Sequence, residues 1–167
     1  MSLSPPNRHP VIFADSNVFI ETLFVEESPA AVVMRLAALG LFKLITCATI
    51  ITDVENAILN KVTENPSNLD NIMQRWAVVI EQTNLDIHTD RPADEVRAIY
   101  KNYIAVMRHK NDIPVLAAAI HCKPQYILSG NYEHFNNLVA ERCGIGIFTC
   151  AEFLEFIGRL WTKDPEF

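Results

Sequence analysis

No stretch of this sequence stays apolar for the length that a membrane-spanning helix needs. The nearest, Ala30 to Ile51, is broken by Arg35 and Lys43. Cysteine is scarce and unpatterned. Cys47, Cys122, Cys143 and Cys150 form no CxxC pair and match no zinc-ligand spacing, which excludes a zinc module and suits structural thiols in a reducing compartment. Basic residues are in deficit, with 14 Lys and Arg against 20 Asp and Glu and a net charge of −6. That argues against a protein that coats nucleic acid through bulk charge. It leaves open an enzyme that meets phosphates through metal ions held by carboxylates, or a protein with a basic partner. A GxSxG elbow, a P-loop and a GxGxxG turn are all missing, so no other nucleophile or nucleotide-binding motif competes. Internal repeats and low-complexity segments are missing too.

What is present is a globular composition. Half of the 167 residues are hydrophobic and a fifth are charged, enough for one domain with a full core. Residues 1–10, with three prolines, read as a loose tail rather than a signal peptide, residues 11–161 as the domain and 162–167 as a second tail. Cytoplasm is the expected location. Short apolar runs at Val11 to Ala14, Leu41 to Cys47, Leu85 to Ile87, Gln125 to Leu128 and Ile145 to Phe148 read as strands. Between and after them, helical patterns run from Ala30 to Leu39, Thr49 to Val62, Leu69 to Gln82, Ala93 to Met107, Asp112 to Cys122, Tyr132 to Arg142 and Ala151 to Trp161. Ser28-Pro29 opens the first of these and Gly40 closes it; Asn65-Pro66-Ser67-Asn68 ends the second. Such alternation predicts an α/β fold, a three-layer sandwich with a mainly parallel sheet covered on both faces.

The stretch that organises the rest is Val11-Ile12-Phe13-Ala14-Asp15-Ser16-Asn17. A buried strand there delivers the Asp15 carboxylate to its carboxyl end, where open α/β sheets keep ligand sites. The ordinary alternative is that Asp15 or Ser16 caps the next helix. On a helical wheel Ile50, Ile51, Val54, Ile58 and Val62 form an apolar arc with Glu55 at its edge and Asp53 outside it. Glu55 is therefore the acid expected to face the protein body, or else a boundary glutamate with its head in water. Asp112 opens the uniformly apolar Ile113 to Ile120 segment, as a cap, a metal ligand or both. Ser129, Gly130 and Asn131 follow an apolar strand and suit either a turn or a site. Carboxylates sharing a confined space call for a cation among them, and oxygen-only ligands suit Mg²⁺ or Mn²⁺. A hard cation so held can activate a water and neutralise a phosphate in phosphodiester cleavage.

In their order and spacing, Ala14-Asp15-Ser16-Asn17, Glu55, Asn111 to Ala119 and Leu128-Ser129-Gly130-Asn131 resemble the PIN-domain ribonucleases, most closely the prokaryotic branch that includes toxins of toxin–antitoxin pairs. The likeness runs from Val11 to about Leu160, closing on Gly146 to Thr149 and Ala151 to Leu154. It implies a parallel five-stranded sheet between helices and Mg²⁺- or Mn²⁺-dependent cleavage of single-stranded or looped RNA. Asp15, Glu55 and Asp112 take the family's first three acids, as catalytic residues and metal ligands. The fourth falls on Asn131, a departure: an amide oxygen can ligate a hard cation but contributes no charge, which counts against a second metal. Asn17 and Ser129 match supporting polar positions.

Arg108 and Lys110, in the only compact basic run, suit a solvated helix end or a substrate phosphate. Tyr132, His134 and Phe135 suit helix packing or base stacking. A cognate antitoxin and a homodimer are further implications of the resemblance. The competing reading is a PIN-like RNA-binding or regulatory module that has lost catalysis, with Asn131 as its mark. An aspartyl-phosphate phosphatase is set aside because its second Asp, two residues after the first, is here Asn17.

Overall fold

The computed structural model describes residues 10–62, 68–107, 109–131, 133 and 135–163. The tail at 1–9, the helix stop at Asn65 to Ser67, Arg108, Tyr132, His134 and residues 164–167 lie outside these. Five strands form one sheet: β1 (Val11–Ala14), β2 (Lys43–Cys47), β3 (Asp86–His88), β4 (Tyr126–Leu128) and β5 (Gly146–Phe148). Every pairing is parallel, and the strands lie in the order β3-β2-β1-β4-β5. β1 is central because both its faces are covered, so Ile12, Phe13 and Ala14 can all be apolar and all be buried. Removing the Phe13 ring would cost about 3–5 kcal/mol.

The helices are α1 (Ser16–Phe24), α2 (Pro29–Ala38), α3 (Ala48–Val62), α4 (Leu69–Gln82), α5 (Ala93–Tyr103), α6 (Ile113–Cys122), α7 (Asn137–Cys143) and α8 (Cys150–Lys163). The α/β sandwich expected from the alternating pattern is therefore present. α2 begins as its sequence predicts: Ser28 Oγ accepts a hydrogen bond from Ala31 N at 3.1 Å and Pro29 occupies the first turn. It ends at Gly40, whose φ of +76° favours glycine. α8 opens on a reciprocal capping box between Thr149 and Glu152. α6 buries Ile113 and Val115 to Ala119, which is why its sequence is apolar on all sides.

Three helices differ from the pattern. α1 forms directly after β1, where the pattern gives no helical range. α5 stops at Tyr103 instead of continuing to Met107, and Met107 is buried beyond its end. α7 starts at Asn137 instead of Tyr132, because the extended Asn136 caps it, its side chain accepting from the Leu138 and Val139 amides. Among the described residues, no helix is long and apolar enough to cross a membrane.

One consequence of the topology positions everything that follows. From β1 the chain winds outward through β2 to β3, then returns to lay β4 on β1's other side and β5 beyond it. The order reverses between β1 and β4, and their carboxyl ends flank the crevice that such a reversal opens. Asp15 and Ser129 are the first residues past those two ends.

Candidate active site

Asp15 is only 7 % exposed, an uncommon place for an aspartate. Its Oδ1 accepts the Ser16 amide at 2.8 Å, so it does cap α1. Its Oδ2 accepts from both the Ser129 hydroxyl and the Asn17 amide nitrogen, each at 2.7 Å. Capping and site roles thus coexist in one carboxylate. Burial pushes the Asp15 pKa above the usual aspartate value; the bonds from Ser129, Ser16 and Asn17 oppose that, and the charge of Asp112 adds to it.

Asn17 and Ser129 do more than touch Asp15. Asn17 Oδ1 accepts from Gly130 N at 2.7 Å, and Ser129 Oγ accepts from Asn131 N at 3.1 Å. The loop after β4 is thereby tied to the first turn of α1. Gly130 suits this approach, because a Cβ there would stand 3.3 Å from Asn17 Oδ1. Asn131 is half-buried beside this network, with its carbonyl accepting from Phe135 N.

The other acids stand on α3 and just before α6. Asp112 stands just before α6, half-buried, and makes no capping hydrogen bond with its side chain; its charge is felt at Asp15. On α3 the helical wheel expects Glu55 to face the site, and the charge of Asp15 falls on Asp53. Glu55 and Asp53 are both exposed, and of the two it is Asp53 that lies in the field of Asp15. Partial burial, then the charges of Asp15 and Asp90, raise the Asp53 pKa. The buried line is Ile50, Val54 and Ile58, and Asp53 and Glu55 lie at about equal angles on either side of it at 100° per residue. Only tertiary placement decides which flank meets β1.

Asp90 was also unforeseen. Two residues past β3, it accepts the Thr49 amide of α3 at 3.0 Å. Lys110, on the 3-10 turn before Asp112, is exposed with its ammonium 5.9 Å from the centre of the Tyr100 ring. Phe135 is buried, so it packs rather than offering a face to a base.

Among the described residues, no three Asp, Glu, His or Cys side chains converge closely enough to hold a metal ion. The donor chemistry nevertheless fits a hard divalent cation. The donors are carboxylate, amide and hydroxyl oxygens, and the carboxylates raise one another's pKa, Asp112 acting on Asp15 and Asp15 on Asp53. A cation relieves that repulsion.

Residues 11–133 match the PIN domain. Comparison with curated proteins gives no match. Among solved structures, the chain is similar to VapBC2 from Rickettsia felis bound to a DNA fragment from its promoter, with a TM-score of 0.61 and 8 % identity over 83 % of this chain and 98 % of that one. It is similar to PAE2754 from Pyrobaculum aerophilum, with a TM-score of 0.62 and 11 % identity over 92 % of each. FitAcB from Neisseria gonorrhoeae gives a TM-score of 0.60 and 12 % identity over 83 % of this chain and 97 % of that one. At such identities the three speak for the fold. The sequence match, covering most of the chain and including both Asp15 and Asp112, goes further: the protein belongs to the PIN-domain family.

Proposed function

We propose that the protein is a metal-dependent endoribonuclease and the toxin of a toxin–antitoxin pair. The observation that carries this reading is the buried Asp15, held by Ser129 and Asn17 at the reversal point of the sheet with the charge of Asp112 upon it. Asp15 and Asp112 are the residues assigned to hold Mg²⁺ or Mn²⁺, with Asp53 in the role first expected of Glu55 and Asn131 as a neutral oxygen. When bound, the cation supplies an activated water and a counter-charge for the scissile phosphate. The chain's own part is to hold that set. Ser129 and Asn17 donate to Oδ2 of Asp15 and leave the second lone pair of Oδ1 as its outward acceptor.

An antitoxin is the partner suggested by likeness to VapBC2 and FitAcB. A surface suited to it is a groove of about 640 Å³ between α1, α2 and α4, lined by Leu23, Met34, Leu39 and Val78 with Arg35 and Arg75 among its walls. It is at the opposite end of α1 from Asp15, so a partner seated there need not fill the acidic cleft. A homodimer belongs to the same family reading.

The second reading, a binding module without catalysis, draws on Asn131 and on the acids' incomplete convergence. Cleavage of a mixed RNA panel across a Mn²⁺ titration separates the two. Wild type should cleave single-stranded RNA, and Asp112→Asn should lose that activity. RNA binding without cleavage by folded, inhibitor-free wild type selects the module, and undiminished cleavage by Asp112→Asn identifies a contaminating nuclease.

A further inference from the structure

α3 begins directly after β2, with Cys47 preceding its first residue, Ala48. The first amides of a helix have no partner within it, and a side-chain oxygen normally meets one of them. Cys47 offers a buried thiol, pushed up to about 12 chiefly by burial, whose sulfur is only a weak acceptor for the Ile50 and Thr49 amides and which also bonds to Asp90. The oxygen comes from the loop beyond a different strand. β3 pairs with β2 so that His88 stands opposite Cys47, and two residues further on Asp90 Oδ1 accepts from Thr49 N at 3.0 Å. Thr49 and Asp53 are four residues apart, so they share one face of α3 a single turn from each other. The bond that fixes Thr49 therefore also fixes the flank of α3 that carries Asp53 towards Asp15.

We infer that Asp90 is a positioning residue of the acidic cleft: its cap on Thr49 sets the rotation of α3 and so holds Asp53, rather than Glu55, towards Asp15. It does this with an acceptor oxygen, and its negative charge is dispensable. The inference rests on the nuclease reading for its effect on activity but not for its effect on α3.

The test compares full-length wild type, Asp90→Asn, which keeps an acceptor of equal capping quality, and Asp90→Ala, which removes it. Two readouts are taken on protein shown to be folded. The first is hydrogen exchange of the amides from Thr49 to Asp53, without metal or RNA. Exchange there should rise about tenfold in Asp90→Ala, the size of one cap's contribution, and stay near wild type in Asp90→Asn. The second is the rate of RNA cleavage at saturating Mn²⁺, which should fall about tenfold or more in Asp90→Ala, through kcat rather than KM, and be rescued in Asp90→Asn. Equal losses in both variants would show that the charge matters and overturn the inference. So would unchanged exchange in Asp90→Ala, or raised exchange with kcat intact, since α3 would then keep its rotation without Asp90. If wild type does not cleave RNA, the nuclease reading fails by itself and hydrogen exchange alone decides the role of Asp90.

Discussion

At the junction of β1 and β4, Asp15, Asn17 and Ser129 are bonded to one another and to the Gly130 and Asn131 amides. On the α3 and α6 sides of the same cleft, Asp53 and Asp112 influence Asp15 through charge. The first region is assembled by directional bonds in a low-dielectric setting, where each donor fixes a lone pair. The second is carried on α3 and just before α6, and held in place by caps and packing. Asp15 is thus fixed by directional bonds, whereas Asp53 and Asp112 are coupled to it by charge. Substitutions should therefore have effects ranked by which region they strike.

The largest effect should follow Asp15→Asn, because it removes the one acid common to both regions. RNA cleavage should fall by more than about 100-fold, beyond what loss of a supporting residue alone causes. Next come the two acids of α3, measured side by side. Asp53→Asn should lower cleavage by about 10–100-fold while Glu55→Gln leaves it within about twofold; the reverse order would place α3 wrongly and return Glu55 to the site.

Ser129→Ala sharpens the comparison from the rigid side. It strips a donor from a buried carboxylate, so it should cost about 1–3 kcal/mol of stability in urea unfolding as well as activity. No such stability loss would mean that Asp15 is less dependent on its bonded surroundings than its geometry indicates.

A smaller effect concerns pH. Burial first, and Asp112 after it, raise the Asp15 pKa, so the folded state holds a proton that the unfolded chain has released. Between the ordinary aspartate value and the raised one, stability therefore falls as pH rises. In metal-free protein, wild type should lose stability relative to Asp15→Asn as pH is raised through that window, and chemical denaturation at several pH values measures it. A difference that is flat with pH would show that burial leaves the Asp15 titration unchanged.

The sequence was most legible where chemistry is local. Ser28-Pro29 with Gly40 bounded α2, and the unbroken apolar run before Asp15 marked a strand buried on both faces. The junction of β1 with β4 could be anticipated because short apolar strands ending in Asp15 and Ser129 signal themselves within a few residues. α3 was less legible. Its two acids flank the buried line about equally, and the oxygen that caps Thr49 comes from Asp90, 41 residues further along the chain. No periodicity carries that information. The start of α7 was missed for a related reason: Asn136, which caps it, also donates to the Val106 carbonyl in the segment after α5, a partner 30 residues away.

The central claim is that acids from the two regions act together on one cation. Melting temperature against Mn²⁺ concentration, at matched ionic strength, tests it most directly for wild type, Asp15→Asn, Asp53→Asn and Glu55→Gln. An ion bound only by the folded state raises stability by mass action, by about 2.7 kcal/mol at a hundred times its Kd. The account predicts a clear rise in wild type and Glu55→Gln, a smaller one in Asp53→Asn and almost none in Asp15→Asn. Identical responses in wild type and Asp15→Asn would contradict it.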